Sequence, residues 1–166
     1  EVYRRFPDIR LIAEDLGDLR RQVGKLRDHY HLMGMNVISF ELQPKLLKKP
    51  RKEHIVLYTG THDNDTLEGF YQQLTQNRRI ALRRFFHNCG YDNRMFHELV
   101  IRYCLDSAAD VVILPMSDIL GLKSEGRINT PGTIGSPNWE WKVKNLKEFY
   151  ALLPKLGEWI RTSGRG

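Results

Sequence analysis

Four short, largely apolar runs divide this chain: Ile9 to Ala13, Met35 to Phe40, Ile55 to Thr59 and Val111 to Leu114. Runs of this length, bounded by Pro, Gly and Asp and without polar alternation, predict strands buried on both faces. Segments of helical period separate them. Leu19, Val23, Leu26 and Tyr30 share one face, with Gly34 as the expected stop. Leu67 to Leu74, Arg78 to His87 and Arg94 to Ser107 read as helical, the last with Met95, Leu99, Val100, Tyr103 and Cys104 on one stripe. Lys144 to Ile160 is amphipathic through Leu146, Phe149, Leu153, Leu156 and Ile160, with Pro154 as a source of a kink. Pro44 to Pro50 and Gly121 to Asn138 read as loops. Apolar strands alternating with helices imply an α/β fold built on a parallel sheet covered on both faces. Four such strands are half of an eight-stranded barrel, and a small open α/β sheet is the competing arrangement. The 166 residues suffice for one core, so residues 1–166 are expected to form one domain with no second.

Composition removes several function classes. The net charge is +6, but the basic residues are scattered (Arg20-Arg21, Lys45 to Lys52, Arg78-Arg79, Arg83-Arg84) and read as solvated surface. No helix-turn-helix, zinc-finger or RNA-recognition signature accompanies them, so nucleic acid is not an expected partner. No apolar run approaches the roughly 20 residues needed to cross a bilayer, so no membrane partner is expected either. No secretory signal opens the sequence, and a cytoplasmic location is expected. Cys89 and Cys104 read as reduced and structural rather than as a disulfide scaffold. No His stands at a zinc-like spacing from either, so neither a metal nor a cofactor is expected. The chain opens on Glu1 rather than Met, which suggests a fragment.

Acidic groups gather where strands end. The first strand runs into Glu14-Asp15, the third into His62-Asp63-Asn64-Asp65, and the fourth is followed by Asp118 and Glu125. A parallel sheet brings its C-terminal strand ends to one face, so Glu14 and Asp63 are expected to converge. Paired carboxylates suit glycosidic bond cleavage, in which one protonates the leaving oxygen and another stabilises the cationic centre. They also suit divalent cations. For Asp65, capping of the following helix competes with a catalytic role. For Asp15, a hydrogen bond that supports a site residue from behind, or one within a turn, does. His62, next to Asp63 at a strand end, reads as functional.

Several stretches, in order, resemble one family. Ala13-Glu14-Asp15-Leu16-Gly17, Gly34-Met35, Thr59 to Thr66, Leu120-Gly121-Leu122, Ser124-Glu125, Asn129-Thr130-Pro131-Gly132-Thr133 and Asn138-Trp139-Glu140-Trp141 are similar to the C-terminal third of the 4-α-glucanotransferases (amylomaltases, disproportionating enzymes; glycoside hydrolase family 77). The resemblance implies a (β/α)8 TIM barrel of the α-amylase-like clan, of which this chain would carry roughly the C-terminal half, strands five to eight. It implies transfer of α-1,4-glucan segments to an acceptor sugar hydroxyl by a retaining double displacement. Glu14 then matches the acid/base, Asp63 the transition-state stabiliser, His62 a ligand of sugar hydroxyls, and Asn129 a residue near the donor sugar. The implied partners are α-1,4-glucans and maltooligosaccharides, with glucose or maltose as acceptor, in starch, glycogen or maltose metabolism. Trp139 and Trp141 would either stack on sugars or, the favoured reading, pack against the barrel.

The departures are informative. The family's nucleophilic Asp, on the fourth strand, has no counterpart here, so the chain reads as an incomplete fragment, inactive alone and lacking its N-terminal barrel half. Arg20-Arg21 replaces a Thr-Pro helix start, and Met33, Asn36, Ser39, Glu41 and Ser117 also depart from the family pattern. None of these touches Glu14, His62 or Asp63. An α-glucan hydrolase of the same clan and a non-catalytic glucan-binding fragment are the alternatives, with a polyanion binder the remotest.

Overall fold

The computed structural model describes residues 2–17, 21–43, 54–92 and 95–166. The expected loop from Pro44 to Pro50, the Lys45 to Lys52 cluster, and Leu19, Arg20 and Arg94 lie outside them, wholly or in part. In chain order the elements are α1 (Val2–Arg5), α2 (Arg21–His29), β1 (Gly34–Val37), α3 (Ile38–Glu41), β2 (Ile55–Tyr58), α4 (Leu67–Gln73), α5 (Gln76–Asn88), α6 (Phe96–Leu105), β3 (Val111–Ile113), α7 (Met116–Ile119) and α8 (Lys147–Thr162). A 3-10 turn spans Ser124–Gly126.

The strands form one parallel sheet in sequential order, β1-β2-β3. Val37, Tyr58 and Ile113 share one row, with Met35 and Val56 two residues back. Period-two alternation divides the faces. Ile55, Leu57 and Val112 belong to the buried cluster with Leu82, Phe86, Phe96 and Tyr103 of the helices. Met35, Tyr58 and Ile113, of the opposite parity, line an open cleft. Among the described residues, therefore, the helical core packs one face, and the other carries the buried Val37 and Val56 beside the residues that line the cleft.

Two elements differ from expectation for local reasons. The run Ile9 to Ala13 contributes a single parallel bridge, Ile12 to Met33, with Ala13 N–H donating to Met33 O (2.7 Å). Its neighbour explains this. Helix α2 ends at His29, and Leu32 N–H donates to Arg27 O and His31 N–H to Asp28 O, with His31 in the left-handed region (φ 52°). This is the paired-bond ending usually assigned to glycine. It stops α2 well before Gly34, which instead begins β1, and leaves Met33 as the first extended residue available to pair. The second expected strand is cut short because Ile38 to Glu41 form a helical turn, which brings Ile38 and Leu42, both fully buried, side by side into the core.

Other helices follow expectation more closely. Leu99, Val100, Tyr103 and Cys104 of α6 are buried, whereas Met95 precedes the helix and is exposed. Cys89 and Cys104 are both free thiols; Cys104 is fully buried, which pushes its pKa up. Helix α8 accommodates Pro154, and only its C-terminal part, Leu156, Trp159 and Ile160, packs on the core; Leu146 and Leu153 are exposed. Helix α2 buries none of its residues, although Val23, Leu26 and Tyr30 are apolar.

Candidate active site

The parallel sheet sends Thr59 and the loop after β2 to the same end as the turn after β3. Thr59 is fully buried, and its hydroxyl donates to Asp118 Oδ2 (2.6 Å). The other oxygen of Asp118 accepts the N–H of Leu67, the first residue of α4 (2.8 Å). One buried carboxylate thus fastens both ends of the segment 60–66. Burial raises the Asp118 pKa, opposed by the hydrogen bonds from Thr59 and Leu67. No sequence periodicity marked this residue, because its role depends on two segments over 50 positions away.

Between those anchors the segment makes a tight turn. Asn64 N–H donates to Thr61 O (3.1 Å), and Asn64 Oδ1 accepts both the N–H (2.8 Å) and the hydroxyl (2.9 Å) of Thr61. His62 and Asp63 occupy the two central positions, so the turn pushes them outward with side chains about half exposed, 50% and 47%. The neighbouring acids serve the frame instead. Thr66, not Asp65, caps α4, accepting the Gly69 N–H (3.0 Å). Asp65 accepts from Ser124 Oγ and Gln73 Nε2, both at 2.7 Å, and ties α4 to the 3-10 turn. Asp15 accepts from the Met35 N–H (2.7 Å) and pairs with Arg27, so its oxygens tie the first segment to β1 and α2 rather than closing a local turn. Gly34 leaves room for that carboxylate, since a Cβ there would lie 2.8 Å from Asp15 Oδ2.

The loop after the 3-10 turn reaches across to Asp63. Asn129 Nδ2 donates to Asp63 Oδ1 (2.6 Å), and Asn129 N–H to His62 O (3.1 Å). His62 Nε2 lies 3.4 Å from the same Asp63 oxygen. Arg127 completes the crossing, donating to the carbonyls of Asp63 (3.0 Å) and Asn129 (2.8 Å). Trp139 does not pack inward as expected. It is 64% exposed, adopts φ 64°, and its ring centroid lies 5.0 Å from that of His62. Trp141 is half-buried.

Glu14 lies on the other wall. It is exposed, and it lines with Asp63, His62, Tyr58 and Ile113 one cleft of about 560 Å³. Of the four residues expected at the site, Glu14, His62 and Asp63 share that cleft, and Asn129 joins it by bonding Asp63. Glu125 points elsewhere, accepting from the Lys123 N–H (3.2 Å). Beneath the site a second buried pair, His97 Nδ1 and Glu68 Oε1 (2.8 Å), joins the start of α6 to the start of α4. Burial alone would raise the Glu68 pKa, but the hydrogen bonds from His97 outweigh it and hold it below the ordinary value. Among the described residues no group of three or more His, Cys, Asp and Glu side chains is arranged to hold a metal ion. No described helix is long and apolar enough to cross a membrane.

Comparison with known proteins agrees on one family. A model of the 4-alpha-glucanotransferase family matches residues 2–147. The chain is 33% identical over 164 residues to the chloroplastic/amyloplastic 4-alpha-glucanotransferase of Solanum tuberosum, covering 95% of this chain and 28% of the relative. It is likewise 33% identical to the 4-alpha-glucanotransferase of Thermus thermophilus, covering 83% of this chain and 29% of that one. The fold is similar to that of an amylomaltase from Streptococcus agalactiae solved in complex with acarbose, with a TM-score of 0.82 at 24% identity over 99% of this chain and 34% of that chain. The chain therefore spans 28% to 34% of the length of these relatives.

Proposed function

Because the chain belongs to the 4-alpha-glucanotransferase family, we propose that its cleft is part of the glucan site of a retaining 4-α-glucanotransferase. The observation that supports this best is the placing of Asp63. It is presented at the tip of a turn, one oxygen is held by Asn129, and it shares a cleft with Glu14. In this reading Glu14 protonates the leaving glycosidic oxygen and later takes the proton from the incoming acceptor hydroxyl. Asp63 stabilises the oxocarbenium-like centre with its ionised carboxylate. His62 and Asn129 hydrogen-bond sugar hydroxyls at the reacting position. The glycosyl-enzyme ester forms on a carboxylate outside this sequence. Transfer follows when a sugar hydroxyl of glucose, maltose or a longer glucan attacks that ester in place of water.

The sequential parallel strands support a further assignment: residues 1–166 are one portion, roughly strands five to eight, of a (β/α)8 barrel, and the remaining N-terminal half is its partner. The chemistry needs proton transfer and carboxylates alone, so the reading includes no cofactor. It places the protein in starch, glycogen or maltose metabolism, in the cytoplasm.

Calorimetric titration of the chain with acarbose and with maltotetraose tests the site. Binding of both, with acarbose weakened by Asp63→Asn, is expected; no binding of either overturns the reading. Incubated alone with maltotriose, the chain should yield no ladder of longer products. A ladder would overturn the division of carboxylates.

A further inference from the structure

We infer that Arg127 is a positioning residue of this site, acting as a clamp that aims the Asp63 carboxylate into the cleft. The inference rests on the reading of Asp63 as a stabiliser of positive charge. Arg127 is half-buried and lines the cleft. Its Nη2 donates to the Asp63 carbonyl and its Nε to the Asn129 carbonyl, so one planar group joins loops 64 positions apart. The fork of the guanidinium suits two acceptors at a set separation, a geometry an ammonium does not reproduce. Because both acceptors are neutral carbonyls, neither bond cancels the positive charge at the edge of the site.

The clamp matters through Asn129. That residue bonds the Asp63 carboxylate with its side chain and the His62 carbonyl with its N–H. Those two bonds orient the carboxylate only while the Asn129 backbone is held against the turn. Arg127 supplies the hold at both ends. Its own position is set by Gly126, where a Cβ would stand 2.8 Å from Leu122 Cβ and 3.1 Å from Ser117 Cβ. Arg127 N–H also closes the 3-10 turn on Ser124 O (3.1 Å). The guanidinium is thus mounted on a close-packed turn and reaches outward to join the two loops at that side of the cleft.

The test uses the full chain and the variants Arg127→Met and Arg127→Lys. Amide exchange at Asn129, read by NMR against the amides of α6, reports the clamp. Arg127→Met should speed exchange at Asn129 by about tenfold or more while the α6 amides keep their protection. Arg127→Lys should recover less than half of the lost protection. The ratio of acarbose to maltotetraose affinity reports the consequence, since acarbose places an amine where a glucan has a glycosidic oxygen. It should fall about tenfold in Arg127→Met, as expected when a hydrogen bond to a charged group is misaligned. Unchanged exchange at Asn129, or faster exchange shared equally by α6, overturns the clamp. Full restoration by lysine overturns the fork. A wild-type chain that does not prefer acarbose overturns the functional reading instead, and the Asn129 exchange still decides the clamp.

Discussion

Replacing Asp118 by alanine should loosen the loop that bears His62 and Asp63 and cost a large share of the chain's stability. The carboxylate accepts from Thr59 Oγ1 at 2.6 Å and from Leu67 N at 2.8 Å. Thr59 and Leu67 are 0% and 1% exposed, so neither donor finds water when the acceptor goes. A buried donor left unpaired costs about 1–3 kcal/mol. Against this stands relief of a buried carboxylate, whose burial already raises its pKa. The net loss expected is about 2–4 kcal/mol, less than the two stranded donors alone would imply. For a chain of this size that lowers the thermal midpoint by about 6–12 °C. Asp118→Asn is the discriminating partner. Its oxygen serves Leu67 N–H, and the Thr59 hydroxyl turns to accept from the amide, so the loss should be about 1 kcal/mol. Stability also carries a pH signature. With the folded pKa of Asp118 above its unfolded value, its contribution is complete below the unfolded value and is lost as pH rises through the folded one. Asp118→Asn should flatten that part of the profile. Urea and thermal unfolding followed by circular dichroism measure all of this. A loss under about 1 kcal/mol in Asp118→Ala, or equal losses in the two variants, would refute the reasoning.

Three further outcomes are expected. The Glu68 pKa is held below its ordinary value of 4.5, so its stabilisation is present above that value and is lost as pH falls through the folded one; Glu68→Gln should weaken this acid dependence in unfolding scans. Gly121→Ala should cost about 2–4 kcal/mol by urea denaturation, because Gly121 has φ 63° and a Cβ would lie 2.5 Å from His97 Cε1; a cost below 1 kcal/mol would mean the imidazole moves freely. Trp139→Ala should weaken maltooligosaccharide binding by about 1 kcal/mol in calorimetry and change stability by no more than about 0.5 kcal/mol; a large stability loss would restore the packing role.

The helices α4, α5 and α6 and the strand β2 were legible because their patterns are local. Apolar spacing reports which face is buried, and burial against a single sheet face is what they do. The first expected strand was legible as an apolar run but not as a single rung. Its pairing depends on where α2 ends, and a histidine in a left-handed turn takes the place at which a glycine would have signalled the end. The shortened β1 follows the same logic. Whether Ile38 continues a strand or starts a helical turn is settled by the core it must share with Leu42.

At the site the division is sharper. Residue types and their order were enough to point to Glu14, His62, Asp63 and Asn129, because carboxylates at strand ends and the ordered family stretches are properties of the chain read linearly. Which acids are tied up in structural hydrogen bonds was decided only in three dimensions. Asp63 stands half-exposed at a turn tip with one oxygen accepting from Asn129, while Asp15, Asp65 and Asp118 spend their oxygens on backbone and side-chain donors of the frame. Arg127 and the outward Trp139 left no periodic trace, since their partners come from a distant loop. A carboxylate's chemistry follows from the donors around it, and those donors are assembled by tertiary contacts that sequence spacing does not encode.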